Sequence, residues 1–291
     1  YNPKFTSPYL VRVTMIPTES AGPLADYLVK QGMSKLILVS SDYAAGVQVA
    51  DYFSAVYIEK GGSIVQEIYP PLNAADMGPY LAQLNTTTNA LFLFAPGADG
   101  LHFAQQLGSY LGANRKLTIA DWGSTLASYV DQLQDKALGA LQSGPFSLGY
   151  QSPEADAFKK AWNDKYPGRT LTNDASEGWG GAQFIVQAIK DANGQVENKP
   201  AFLDALYHTK VQSSRGPLSL DAQHDIVQNI YLSQIVKQGS GYTQKLIATY
   251  PSMSRTTYLS QAQIEHFPAG TFKGKWVGMT KAKLDPLLGP G

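Results

Sequence analysis

The chain has 291 residues, enough for one large domain or two medium ones. Its 23 basic and 23 acidic side chains cancel, so the charge balance points neither to nucleic acid nor to an anionic membrane. Cysteine is absent, which excludes thiol catalysis, cysteine-ligated zinc and disulfides, while 44% hydrophobic residues suffice for a globular core.

LVRVTMI (Leu10–Ile16) is an apolar strand candidate close to the start of the chain. Four more strand-like runs follow: Lys35–Ser40, Ile64–Tyr69, Ala90–Ala95 and Lys116–Ala120. They recur at intervals of roughly 25–30 residues, the length of a βα unit. Several are nearly continuous apolar runs, as expected of parallel strands buried on both faces. Helical patterns fill the gaps. PLADYLVKQG spaces Leu24, Tyr27 and Leu28 on one face and stops at Gly32. VADYFSAVYIEKGG stacks Val49, Phe53, Val56 and Tyr57 and stops at Gly61-Gly62. MGPYLAQLN places Pro79 in a first helical turn. DGLHFAQQLGSYLG presents Phe103, Leu107 and Leu111 and stops at Gly112. This alternation predicts a doubly wound α/β lobe.

After ALQSGPFSLGY the pattern changes. Three helices follow in series: PEADAFKKAWNDKYPG, SEGWGGAQFIVQAIKDANG and KPAFLDALYHT, with no strong strand between them. Strand candidates return at IYLSQIVKQ and KLIATY, and the last stretch reads as a tail or packed loop. No segment approaches the roughly 18 apolar residues of a membrane span.

No phosphate-loop, dinucleotide-binding, nucleophile-elbow or zinc-protease motif is present. The four histidines, His102, His208, His224 and His266, are far apart and lack ligand spacing, so neither metal nor cofactor is expected. The glycines of GWGGAQ follow a polar segment, not a strand, and predict close helix packing.

The fold class itself locates a site. Ligands of open parallel sheets sit beyond the carboxyl ends of the strands. Three segments occupy those ends: Ser40-Ser41-Asp42-Tyr43, Ala95-Pro96-Gly97-Ala98-Asp99 and Asp121-Trp122-Gly123-Ser124-Thr125. They mix small and polar residues with single aromatics or acids, which suits a small ligand with a polar head and a flat or apolar body. Asp42 and Asp99 read equally well as helix caps, and Asp121 as a cap for TLASYVDQL. Trp122 reads as core or as cleft wall. Trp179, among Glu177, Gly178, Gly180 and Gly181, stands where a cleft wall is more natural than a core.

PYLVRVTMIPTESAGPLADYL, SSDYAAGVQVADYFSAVYIEKGGSIVQEIYPP and RGPLSLDAQHDIVQNIYLSQI together resemble solute-binding proteins of bacterial ABC importers. The resemblance is to the branched-chain (hydrophobic) amino-acid class with the type I periplasmic binding fold. It rests on DYAAG after a strand, on ADM-x-PYL-x-QL and on GP-x-S-x-D-x-x-H-x-x-x-QN, and covers most of residues 1–250. It implies two α/β lobes joined by three crossing strands, with the ligand clamped between them by hinge closure. Tyr9–Thr14, Gln142–Leu148 and Val227–Leu232 correspond to the crossings. Residues 10–147 with 228–250 are then the second lobe, 148–227 the helical remainder of the first, and 251–291 a C-terminal tail.

Members of that family carry roughly one hundred or more residues, about a domain's length, ahead of the NPK-type segment. The resemblance therefore implies that Tyr1 lies inside a longer product and that the first lobe is incomplete here. In relatives the missing part holds the ligand carboxylate. The ammonium half maps onto Asp121 or Trp122. Asp121 in the cleft would accept an ammonium; Trp122 would favour a flat aromatic acid. Tyr43 matches the tyrosine of the family's DYAYG-like loop. Gly97 and Ala98 stand where relatives often carry aromatics, leaving room for a bulkier ligand, and Trp179 matches the aromatic that opens a TYAA-like helix. The expected protein is a monomeric, exported, non-enzymatic binder of an amino acid or aromatic carboxylate, partnered by importer membrane subunits in the periplasm. A ligand-sensing domain of the same fold and a doubly wound enzyme are the alternatives.

Overall fold

Apolar runs that need burial on both faces meet that need in a central sheet. The computed structural model describes residues 7–85, 87–111 and 116–291. The predicted helix stop at Gly112 and the opening NPK segment lie outside the described residues. In chain order the first unit runs α1 (Pro17–Lys30), β1 (Lys35–Ser40), α2 (Ala44–Glu59), β2 (Ser63–Ile68), α3 (Gly78–Leu81), β3 (Ala90–Phe94), α4 (Ala98–Leu107) and β4 (Thr118–Trp122). Two short helices, α5 (Thr125–Ser128) and α6 (Val130–Leu133), lead to β5 (Leu141–Gly144). Three consecutive helices come next: α7 (Pro153–Lys165), α8 (Asn173–Asp191) and α9 (Lys199–His208). The chain closes with β6 (Val211–Ser213), β7 (Gly216–Leu220), β8 (Ile226–Gln238), β9 (Gly241–Met253), α10 (Gln261–His266) and α11 (Lys281–Leu288).

The strands form one sheet in the order β2–β1–β3–β4–β5–β8–β7–β6, with β9 also paired to β8. β2 through β5 are parallel, and from β5 onward the pairs are antiparallel. One face is covered by α1, α2 and the C-terminal helices, around Phe53, Phe92, Ile264 and Trp276. The other is covered by α3 to α6, around Leu91, Leu93, Phe103 and Leu126. A small third cluster, Phe184, Leu218 and Ile226, sits under α8.

Two expectations change. Leu10–Ile16 is not a strand; its ladder is a single bridge between Arg12 and Asp225. Side chains satisfy its peptide groups instead. Arg215 donates to the Val13 carbonyl, Glu177 accepts the Met15 N–H at 2.6 Å and Glu19 accepts that of Ile16 at 3.4 Å. TLASYVDQL is two short helices, not one, because the chain breaks at Tyr129 (φ −114°, ψ 17°). The glycines of GWGGAQ do serve packing. A Cβ at Gly180 would lie 3.1 Å from Arg215 Nε, and one at Gly181 would lie 3.2 Å from Val13 Cγ2.

The C-terminal segment is strapped onto the sheet's α1/α2 side by carboxylates that accept turn amides. Asp51, buried on α2, accepts Gly270 N–H (2.6 Å), Phe272 N–H (3.2 Å) and Trp276 Nε1–H (2.8 Å). Glu67, on β2, accepts the N–H groups of Gly274, Trp276 and Val277. A bridge between Ile64 and Val277 covers the edge at β2. Burial pushes the Asp51 carboxyl up to about 6, against the pull of its donors. Asp51→Ala should leave three donors without their acceptor, two of them buried, and cost about 3 kcal/mol in chemical denaturation. Asp51→Asn, which keeps an acceptor oxygen, should cost clearly less.

Candidate functional site

The carboxyl ends of β3 and β4 open on a cleft of about 400 Å³. From the β3 end come Phe94, Pro96 and Gly97; from the β4 end Trp122, Gly123 and Thr125; from α5 and the break after it Ser128 and Tyr129. The opposite wall is Met15, just ahead of α1, and Thr172, Asn173 and Asp174 at the start of α8.

Alternation along β4 decides which of two adjacent residues reaches this cleft. Trp122 lines it, meeting Phe94 edge-on with ring centroids 4.9 Å apart, and donates its indole N–H to Ser20 Oγ at 3.2 Å. Asp121 points to the other face and is fully buried. Its carboxylate accepts the Leu126 N–H at 2.7 Å, with the Gln142 amide alongside. It therefore caps α5, the alternative that the sequence left open. Burial pushes its carboxyl up to about 8.

Gly97 lines the cleft with φ 59°, in the left-handed region, and a Cβ there would meet nothing within 4 Å. It supplies both the turn into α4 and the open space. Tyr43 does not line the cleft but backs it, stacked on Phe94 at 6.3 Å. Ala98 opens α4 on its exposed side, outside the lining. Trp179 also lies outside the lining. It is 42% exposed on α8 and packs on Phe158 at 5.3 Å; Ile185 and Val186, further along the helix, are exposed too. The structure thus brings Gly97 and Trp122 together, sets Tyr43 one layer behind, and leaves Asp121, Ala98 and Trp179 elsewhere.

Several lining residues escaped the sequence reading. Thr172 is the N-cap of α8, accepting the Ala175 N–H at 3.3 Å, and the Thr-Asn-Asp run was its available signal. Asn173 donates to the Gly123 carbonyl at 3.1 Å and packs against Gly144, docking α8 onto β4. Asp174 is the charged side chain among these lining residues. Met15 had no signal, because side chains distant in sequence hold the segment that carries it. Among the described residues no three acidic or imidazole groups converge as a metal site requires.

The family described as periplasmic binding protein matches residues 1–240. The chain belongs to that family. Its α/β architecture, a largely parallel open sheet with helices on both faces, is that of the type I periplasmic binding fold. A Leu/Ile/Val-binding protein homolog 6 from Brucella melitensis is 27% identical over 249 residues, 84% of this chain and 64% of that protein. The chain thus spans just under two thirds of the curated relatives it matches. An ABC transporter substrate-binding protein from Sphaerobacter thermophilus superposes with TM-score 0.81 at 26% identity, over 87% of this chain and 70% of that one. An ABC transporter solute binding protein from Rhodopseudomonas palustris, solved with 3,4-dihydroxybenzoic acid, superposes with TM-score 0.77 at 27% identity, over 86% and 69%.

Asp121, although outside the cleft, gives the fold a pH signature. Its carboxyl holds a proton in the folded chain at pH values where the unfolded chain has released it. Stability from this group therefore falls as pH rises from about 4 toward about 8. Asp121→Asn should flatten that slope. Thermal midpoints of variant and parent should diverge in the variant's favour between pH 5 and about pH 8, a range read off the two pKa values.

Proposed function

We propose that this chain is the ligand-binding part of a periplasmic solute-binding component of an ABC importer, and that its cleft takes a small aromatic carboxylate. The observation that carries the reading is the wall made by Trp122 and Phe94 with Tyr43 behind it, facing the open space at Gly97. A flat ring gains edge and face contacts with such a wall. A cleft of about 400 Å³ is in the range of single-ring ligands. The hydroxyls of Thr125, Ser128 and Thr172 offer donors for a polar head. The Rhodopseudomonas relative with bound 3,4-dihydroxybenzoate supports the same ligand class.

Residues 10–147 and 228–250 act as one lobe, and the helices of 148–227 belong to the other. Closure of the two on the ligand presents the form that importer membrane subunits recognise. The protein works in the periplasm, as a monomer and by binding, with no catalytic step.

A second reading is a hydrophobic amino acid. Asp174 favours it, since a carboxylate at the cleft wall can accept an ammonium group. The Leu/Ile/Val-binding homologues carry that ligand class in their names.

A thermal-shift comparison of benzoate, 3,4-dihydroxybenzoate and leucine separates these readings, because a ligand specific for the folded state raises its midpoint. The aromatic acids should raise it and leucine should not. The reverse result selects the amino-acid reading, and no shift with any of the three overturns both. Trp122→Ala should weaken aromatic-acid binding by about tenfold or more in isothermal titration, the loss of an aromatic contact plus buried area.

A further inference from the structure

The cleft's second wall has two parts from distant places in the chain: Met15, just ahead of α1, and Thr172–Asp174 at the start of α8. They are joined by one bond. Glu177, one turn into α8, accepts the Met15 N–H at 2.6 Å. Met15 Cε in turn lies 3.7 Å from where a Cβ on Gly123 would stand, at the β4 end. The peptide that carries a lining side chain is thus held by the helix that carries three others.

Glu177 does not act in an apolar setting. Arg215, fully buried on the turn between β6 and β7, lies beside it and donates to the Val13 carbonyl two residues upstream of Met15. Glu19, also fully buried, accepts the Ile16 N–H and the Gln228 amide, the latter at 2.5 Å, and shares the field of Arg215. One guanidinium and two carboxylates therefore grip Val13, Met15 and Ile16 from three elements. Charge-assisted bonds of this kind are roughly twice as strong as neutral ones. None of the three charged groups lines the cleft itself.

We propose that Glu177 is a positioning residue for ligand binding: its carboxylate locks the Met15 peptide to the first turns of α8, so the second cleft wall is built before the ligand arrives. This rests on the ligand reading given above. A wall already in place spares the ligand the cost of ordering it, so loss of the lock appears as lost affinity although Glu177 never touches the ligand.

The test pairs affinity for 3,4-dihydroxybenzoate with hydrogen exchange at the Met15 amide in the intact protein, using Leu91 in β3 as an internal control. Glu177→Ala should weaken binding by about tenfold or more, the loss of one buried charge-assisted bond. The Met15 amide should exchange faster while Leu91 stays protected. Glu177→Gln, which keeps an acceptor oxygen in place, should recover most of both properties. Glu177→Asp keeps the charge but withdraws the oxygen by one methylene, and should behave like the alanine variant. It covers the case in which alanine prevents folding. A folded alanine or aspartate variant with parental affinity overturns the proposal, and so does one whose Met15 exchange is unchanged. If the parent binds none of the aromatic acids, the ligand reading fails separately. The exchange measurement still decides whether Glu177 holds the Met15 peptide.

Discussion

A segment packed against the protein without a sheet partner must have its peptide groups satisfied by side chains, because unpaired buried N–H and C=O groups are costly. Residues 13–16 meet that constraint with Arg215, Glu177 and Glu19. Much else follows from the solution. Arg215 needs room beside α8, and Gly180 provides it. Val13 needs room there too, and Gly181 provides it. Burial lowers the pKa of the guanidinium, and the fields of Glu177 and Glu19 work against that desolvation. The result fixes where Met15 stands and, through Glu177, where α8 begins.

The other wall depends on a simpler rule, the two-residue period of a strand. β4 carries Asp121 and Trp122 in succession, so one must face each side of the sheet. The aromatic residue goes to the α1 side and reaches the cleft edge. The acid goes to the side of α5, where the helix start offers a backbone N–H as its partner. A shift of one residue in register would exchange them, putting a carboxylate in the cleft and an indole over the helix cap. Parallel pairing of β4 with both β3 and β5 holds the register. Ligand chemistry at this position is therefore set by strand pairing as much as by residue identity.

Much of this could be read from the sequence, and the exceptions share a cause. Lys35–Ser40 is a strand with the expected bounds, and Ala90–Phe94 falls one residue short, because runs such as KLILVS have no other stable fate in an α/β lobe. The strand-end rule pointed to Gly97 and Trp122, and both line the cleft. It could not choose a face at β4, since periodicity inside a five-residue strand does not say which side is which. LVRVTMI has strand composition, but its partners are side chains from residues 19, 177 and 215, which no local pattern reveals. Trp179 lies outside the cleft lining for a related reason. Its glycine neighbours face Arg215 and Val13 across the packed side of α8, which turns the indole outward.

The same device that holds residues 13–16 also holds the C-terminal segment. Asp51 and Glu67 each gather three donors, mostly turn amides of residues 270–277, where no regular ladder is available. In both places a carboxylate stands in for a missing strand. The two differ in what surrounds the acid. Asp51 has an indole and peptide donors but no cation in contact, and burial raises its pKa. Burial raises the Glu177 carboxyl as well, and there the nearby Arg215 guanidinium opposes it. A carboxylate without a cation can give up its charge and still accept from neutral donors, so it serves a static strap well. A carboxylate near a buried cation is favoured in its charged form by that cation. It is this second kind whose bond holds a residue of the cleft wall.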